Sequence, residues 1–104
     1  MKPFPATPIG ILGAGSWGTA LALLAARCQR PVLLWSNDSD HAKTMAQTRV
    51  NEAYLPGISL PENIAPVEHL EMVIDQTHEL VLAIPSHAFR AVLKDLKPRL
   101  ASTQ

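Results

Sequence analysis

Gly13-Ala14-Gly15-Ser16-Trp17-Gly18 constrains this chain more than any other stretch. Three glycines at these offsets mean little alone, and their flanks give them meaning. Ahead of them, Pro8-Ile9-Gly10-Ile11-Leu12 is a short apolar run suited to a buried parallel strand. Behind them, Trp17 to Cys28 is rich in Ala and Leu. Trp17, Leu21, Leu24 and Cys28 fall on one helical face, which is expected to be the apolar one. Strand, glycine turn and helix form the context that a dinucleotide-binding turn requires. In that reading Gly13 permits the tight turn, Gly15 lets a pyrophosphate approach the backbone, and Gly18 lets the helix pack closely on the strand. The first helical turn then offers unpaired N–H groups and the positive end of its dipole to phosphate, and Ser16 adds a hydroxyl donor. The alternative is a glycine turn that binds nothing.

The chain has 104 residues, enough for one small domain with a core. Nine acidic and nine basic residues balance, so no basic surplus points to nucleic acid and no charge run points to a membrane surface. No stretch approaches the roughly twenty apolar residues of a membrane span. A single cysteine, Cys28, excludes an intrachain disulfide and fits a reducing compartment. It reads as a buried helical cysteine. These features give a cytoplasmic localisation, with Met1 to Thr7 as a frayed leader. His41, His69 and His78 lack metal-ligand spacing, so no metal site is expected.

Past the first helix, Arg27-Cys28-Gln29-Arg30-Pro31 places cations at the negative helix end, and a proline that cannot continue it. Val32-Leu33-Leu34-Trp35 is a second buried strand, completing a right-handed βαβ unit. Ser36 to Asp40 is a turn rich in N-cap residues, leading into a helix over His41 to Thr48. Asn51 to Pro61, with two prolines and a glycine, is expected to be an irregular loop ordered by Tyr54 and Leu55 packing inward. Ile64 to Val67 reads as a third strand, and Glu68 to Gln76 as a helix with Leu70, Val73 and Ile74 facing one way. Leu80 to Ile84 reads as a fourth strand, and Ser86 as the cap of a helix through Leu96.

The predicted fold class is α/β: a Rossmann-like doubly wound parallel sheet with strand order 3-2-1-4, truncated after about four of its usual six or so strands. Residues 1–104 are expected to form an N-terminal NAD(P)-binding domain, incomplete and without a substrate domain. Loops at the carboxyl ends of strands line the ligand crevice in such sheets, so Gly13 to Gly18, Ser36 to Asp38, and Pro85 to Ala88 should converge. An acidic residue usually stands at the end of the second strand, where it bonds the adenosine ribose. Here Trp35-Ser36-Asn37 occupies that place, and Asp38 falls at the next helix start. Neutral Ser36 and Asn37 can donate to a phosphate and do not repel one, which favours NADPH and leaves NADH usable. Lys43 and Arg49 are the candidate cations for that phosphate. His87, at a crevice-facing helix start, has no carboxylate identified beside it and reads as a solvated or capping residue.

Several stretches together resemble the N-terminal part of the bacterial, soluble NAD(P)-dependent glycerol-3-phosphate dehydrogenase family. They are Ile11-Leu12-Gly13-Ala14-Gly15-Ser16-Trp17-Gly18-Thr19-Ala20-Leu21-Ala22, Leu34-Trp35, Asn51 with Tyr54-Leu55-Pro56-Gly57, and Pro85-Ser86. The Tyr-Leu-Pro-Gly loop is the most specific, because the general fold does not need it. The resemblance implies an oxidoreductase. It would transfer hydride between NAD(P)H and glycerone phosphate or sn-glycerol 3-phosphate, in phospholipid biosynthesis. It implies cofactor contacts from Gly13, Gly15, Ser16, Trp17, Gly18 and Asn37, and weaker ones from Tyr54, Pro85 and Ser86. Many members carry Arg or His where this chain has Asn37. The family's substrate-binding and proton-transfer lysines lie beyond the matching stretch. No catalytic residue is assigned, and the chain alone is expected to be inactive. A homo-oligomer remains open for the full-length protein. Two rival readings are another two-domain NAD(P)-dependent hydroxy-acid dehydrogenase and a non-catalytic dinucleotide-sensing module; a flavoprotein is a third.

Overall fold

A computed structural model of the protein describes residues 8–84 together with Arg90, Ala91 and Lys94. Pro85, Ser86, His87, the leader Met1 to Thr7 and all of the helix expected after Ser86 except the helical residues Arg90, Ala91 and Lys94 lie outside the described residues.

The expected parallel sheet is present. Strand β1 (Ile9–Leu12) leads through the glycine turn into helix α1 (Ser16–Arg27), and β2 (Val32–Trp35) returns beside β1 in parallel. Helix α2 (Ser39–Thr48), a short antiparallel pair β3 (Val50–Asn51) and β4 (Leu55–Ser59), strand β5 (Ile64–Val67), helix α3 (Leu70–Gln76) and strand β6 (Glu79–Leu82) follow. The four-stranded sheet runs β5-β2-β1-β6, all parallel, which is the order 3-2-1-4. β1 is central, with Ile9 opposite Val32 on one side and Glu79 on the other.

Although β2 is buried along its whole length, its side chains still alternate between two cores. Val32 and Leu34 join Ile11 and Ile64 beneath α1 and α2, where Ala22, Ala26 and Met45 cover them. Leu33 and Trp35 join Leu12 on the opposite face, covered by Leu70, Val73 and Ile74 of α3. Helices therefore flank both faces, as a doubly wound sheet requires. Among the described residues no helix is long and apolar enough to cross a membrane.

Three local expectations are corrected. The buried face of α1 is Gly18, Thr19, Ala22 and Ala26, not the Trp17–Leu21–Leu24–Cys28 stripe. Trp17 and Leu24 are 69% and 59% exposed, and Cys28 is exposed rather than buried. The cause is close approach. A Cβ on Gly18 would stand 1.7 Å from the Gly13 carbonyl oxygen, so the helix start is pressed onto the strand end and only small side chains fit the seam. One position along a helix is about 100° of rotation, so the larger residues are carried outward.

The Asn51–Pro61 stretch is not an irregular loop but contains β4 and pairs back on β3. Tyr54 does not pack inward; it is half exposed. Finally, β6 is half-buried and ends at Leu82, two residues earlier than expected.

Candidate functional site

The glycine turn leaves the carboxyl end of β1 with Gly13 at φ +121°, a conformation in which an L side chain is strained. Its N–H donates to the Trp35 carbonyl at 2.9 Å, so the turn is anchored to the end of β2. Gly15 is the N-cap of α1, and no side chain caps this helix start. A Cβ on Gly15 would meet no atom within 4 Å. Nothing among the described residues demands glycine there, and the space above it is open. Helix α2 starts differently. Asp38 Oδ1 accepts from the N–H groups of Asp40 and His41 at 3.1 and 3.2 Å. One oxygen of its carboxylate thus caps the helix, which puts Asp38 at the helix start as expected.

Both helix starts open on one cavity of about 1110 Å³ at the carboxyl ends of the strands. Gly13, Gly15, Ser16, Trp17, Asn37 and Tyr54 all line it. Gly18 does not line it; its part is the close packing of α1. Pro85 and Ser86 lie outside the described residues, although Leu82, Ala83 and Ile84 just before them do line the cavity. Ser16 Oγ donates to the Tyr54 carbonyl at 3.5 Å, which ties the glycine turn to the β3–β4 connection.

Neither candidate cation for a phosphate is brought here. Arg49, itself at φ +62°, donates to the Pro61 and Ile64 carbonyls at 2.6 and 2.7 Å. Lys43 lines a separate depression with His69 and Met72. Among the described lining residues the charged ones are Asp38, Asp40 and Glu52. Ser36, whose hydroxyl is expected to donate to a phosphate, lines the cavity but is 4% exposed as a residue, and its hydroxyl lies 3.1 Å from His41 Nδ1.

Two residues whose place in this wall the sequence did not reveal are His41 and Asn51. Asn51 is fully buried, and its amide donates to the Ala14 carbonyl and to Thr19 Oγ1, both at 2.8 Å. It therefore holds the middle of the glycine turn against the first turn of α1. His41 Nε2 is 2.8 Å from the Asn51 side-chain oxygen. The His41 ring also sits 5.7 Å from that of Tyr54, tilted by 59°. Buried polar groups satisfied in this way rigidify a binding wall, whereas an unpaired amide would cost about 1–3 kcal/mol. Patterns of hydrophobic spacing carry no sign of such a link. Only the presence of Asn51 in the resembling stretch hinted at it.

Comparison with known proteins is consistent with this arrangement. The family model described as "NAD-dependent glycerol-3-phosphate dehydrogenase N-terminus" matches residues 8–104. A glycerol-3-phosphate dehydrogenase (NAD(P)+) of Photobacterium profundum is 43% identical over 90 residues, which is 86% of this chain and 27% of that protein. The crystal structure of glycerol-3-phosphate dehydrogenase from Coxiella burnetii superposes with a TM-score of 0.88 at 42% identity, covering 91% of this chain and 29% of that one. A Plasmodium falciparum glycerol-3-phosphate dehydrogenase structure gives a TM-score of 0.79 at 25% identity, covering 89% and 29%. The chain thus spans little more than a quarter of the length of the curated relative.

Proposed function

The chain belongs to the NAD-dependent glycerol-3-phosphate dehydrogenase N-terminal family, and on that premise we propose that its cavity holds the dinucleotide of such an enzyme. The carrying observation is the uncapped start of α1 beneath open space at Gly15. The pyrophosphate lies over Gly13, Gly15 and Ser16, where first-turn N–H groups and the helix dipole meet its charge. The adenosine lies toward the end of β2, beside Asn37. Trp17 and Tyr54, 69% and 50% exposed, flank the entrance and offer ring faces to the ligand. The nicotinamide end points toward the end of β6, where Pro85 and Ser86 are the proposed contacts. Both NADPH and NADH are accepted, with NADPH preferred because Ser36 and Asn37, at the end of β2, carry no charge to repel a 2′-phosphate. Asp38, the nearest carboxylate in sequence, has its Oδ1 held by its own helix start.

Bound NAD(P)H supplies a hydride. This chain binds and orients it, with apolar Leu82, Ala83 and Ile84 lining the cavity at that end. The substrate pair is glycerone phosphate and sn-glycerol 3-phosphate, the product serves phospholipid synthesis, and the setting is the cytoplasm. No proton donor is assigned to residues of this chain. Isothermal titration of the full-length protein with NADPH and NADH, followed by NADPH oxidation with glycerone phosphate, tests the reading. Micromolar binding and turnover support it, whereas absence of binding by either nucleotide refutes it.

A further inference from the structure

A chain of hydrogen bonds crosses the cavity wall from Ser36 through His41 and Asn51 to the glycine turn, and the acceptor at its far end fixes its hydrogens. The Ala14 carbonyl only accepts, so Asn51 must turn its amide nitrogen there. The Asn51 oxygen therefore faces His41 Nε2, which must carry a hydrogen. In the neutral ring, Nδ1 is then a bare acceptor. The Ser36 hydroxyl gives its only hydrogen to that nitrogen, and its oxygen accepts the Asp38 N–H at 3.2 Å. With His41 neutral, Ser36 has nothing but a lone pair to present to the cavity.

Protonation of His41 reverses the Ser36 bond. Nδ1–H now donates to the Ser36 oxygen, and the hydroxyl hydrogen is freed for another acceptor. A positive charge also appears in a wall whose other titratable residues, among those described, are Asp38 and Asp40 on α2 and Glu52 and Tyr54 after β3. The glycine turn and the end of β2 contribute none.

We propose that His41 is a specificity-determining residue for the adenosine ribose, its proton choosing between a free 2′-hydroxyl and a 2′-phosphate. The neutral imidazole leaves Ser36 an acceptor, which suits a ribose 2′-hydroxyl. The imidazolium leaves Ser36 a donor and adds a charge, which suits a 2′-phosphate. This rests on the cavity being a dinucleotide site with its ribose at the end of β2. Histidine changes charge between pH 5 and 8. Preference for the 2′-phosphorylated coenzyme should therefore rise as pH falls.

The test is the ratio of NAD+ to NADP+ dissociation constants, measured by calorimetry on the full-length protein between pH 8 and pH 5.5. One charge several ångströms from a phosphate at a partly solvated site should raise the preference by about fivefold. The coenzyme's own 2′-phosphate also titrates, near pH 6. His41→Gln, which keeps a donor for Asn51 and does not titrate, controls for it: the excess over this variant belongs to His41. A variant-free measurement runs alongside. By linkage, a fivefold gain requires NADP+ to raise the NMR titration midpoint of the His41 ring by about 0.7 pH units more than NAD+ does. An excess in the native protein, with the midpoint raised by NADP+, supports the inference. Equal slopes in native protein and variant, or equal midpoints with the two coenzymes, overturn it while leaving the dinucleotide site intact. Failure of both coenzymes to bind overturns the site and the inference together.

Discussion

Replacing Gly15 with valine separates ligand binding from folding. Gly15 sits at φ −79° and ψ −166°, a region open to any L residue. A Cβ there meets no described atom within 4 Å, so the root of the valine side chain is accommodated. The cost to folding is the loss of a tolerated N-cap residue for a poor one, about 1 kcal/mol. The cost to binding is larger. The valine branches fill the space above the uncapped helix start, where the pyrophosphate would reach the first-turn N–H groups. Hydrogen bonds to charged groups are worth about 1.5–3 kcal/mol each, so losing two gives about 3–6 kcal/mol, at least a hundredfold in affinity. Calorimetric titration with NADPH, together with circular dichroism and urea unfolding of the same variant, checks both halves. A folded Gly15→Val protein with native affinity would refute the placement of the pyrophosphate.

Gly18→Ala should do the opposite. Its Cβ would lie 1.7 Å from the Gly13 carbonyl oxygen, a backbone atom, so urea unfolding should show a loss of about 3 kcal/mol or more. Asn37→Asp puts a carboxylate at an exposed position lining the cavity; calorimetry should show NADPH weakened by about 1–2 kcal/mol and NADH spared. Cys28, exposed at the end of α1, should react with a thiol reagent in the native protein as readily as in urea, measured by absorbance of the released chromophore.

The sheet was legible because its strands are short apolar runs bounded by Gly, Pro and Asn, and because the glycine turn fixes β1 as the hub. Ile9–Leu12, Val32–Trp35 and Ile64–Val67 all stand where those runs place them. The orientation of α1 was not legible. Hydrophobic spacing selects Trp17, Leu21, Leu24 and Cys28, whereas contact with the β1 end selects by size. Gly18, Ala22 and Ala26 carry too little apolar weight to outvote a tryptophan. The β3–β4 pair escaped notice because β4 contains Pro56 and Gly57 and is mostly exposed, so neither propensity nor alternation marks it. At the site, residues adjacent in sequence were readable: Gly13 to Trp17, and Asn37. The bracing by Asn51 was not, because its partners Ala14 and Thr19 lie 37 and 32 positions away. Nor was the diversion of Arg49, whose side chain is taken up by two backbone carbonyls.

The most direct measurement of the central claim is amide hydrogen exchange of the full-length protein with and without NADPH. The dinucleotide placement predicts slowed exchange at Gly15 to Trp17 and at Asn37 to Asp38. It predicts no change around Lys43, His69 and Met72, which line the separate depression. Protection at that depression, with the glycine turn unchanged, would contradict it.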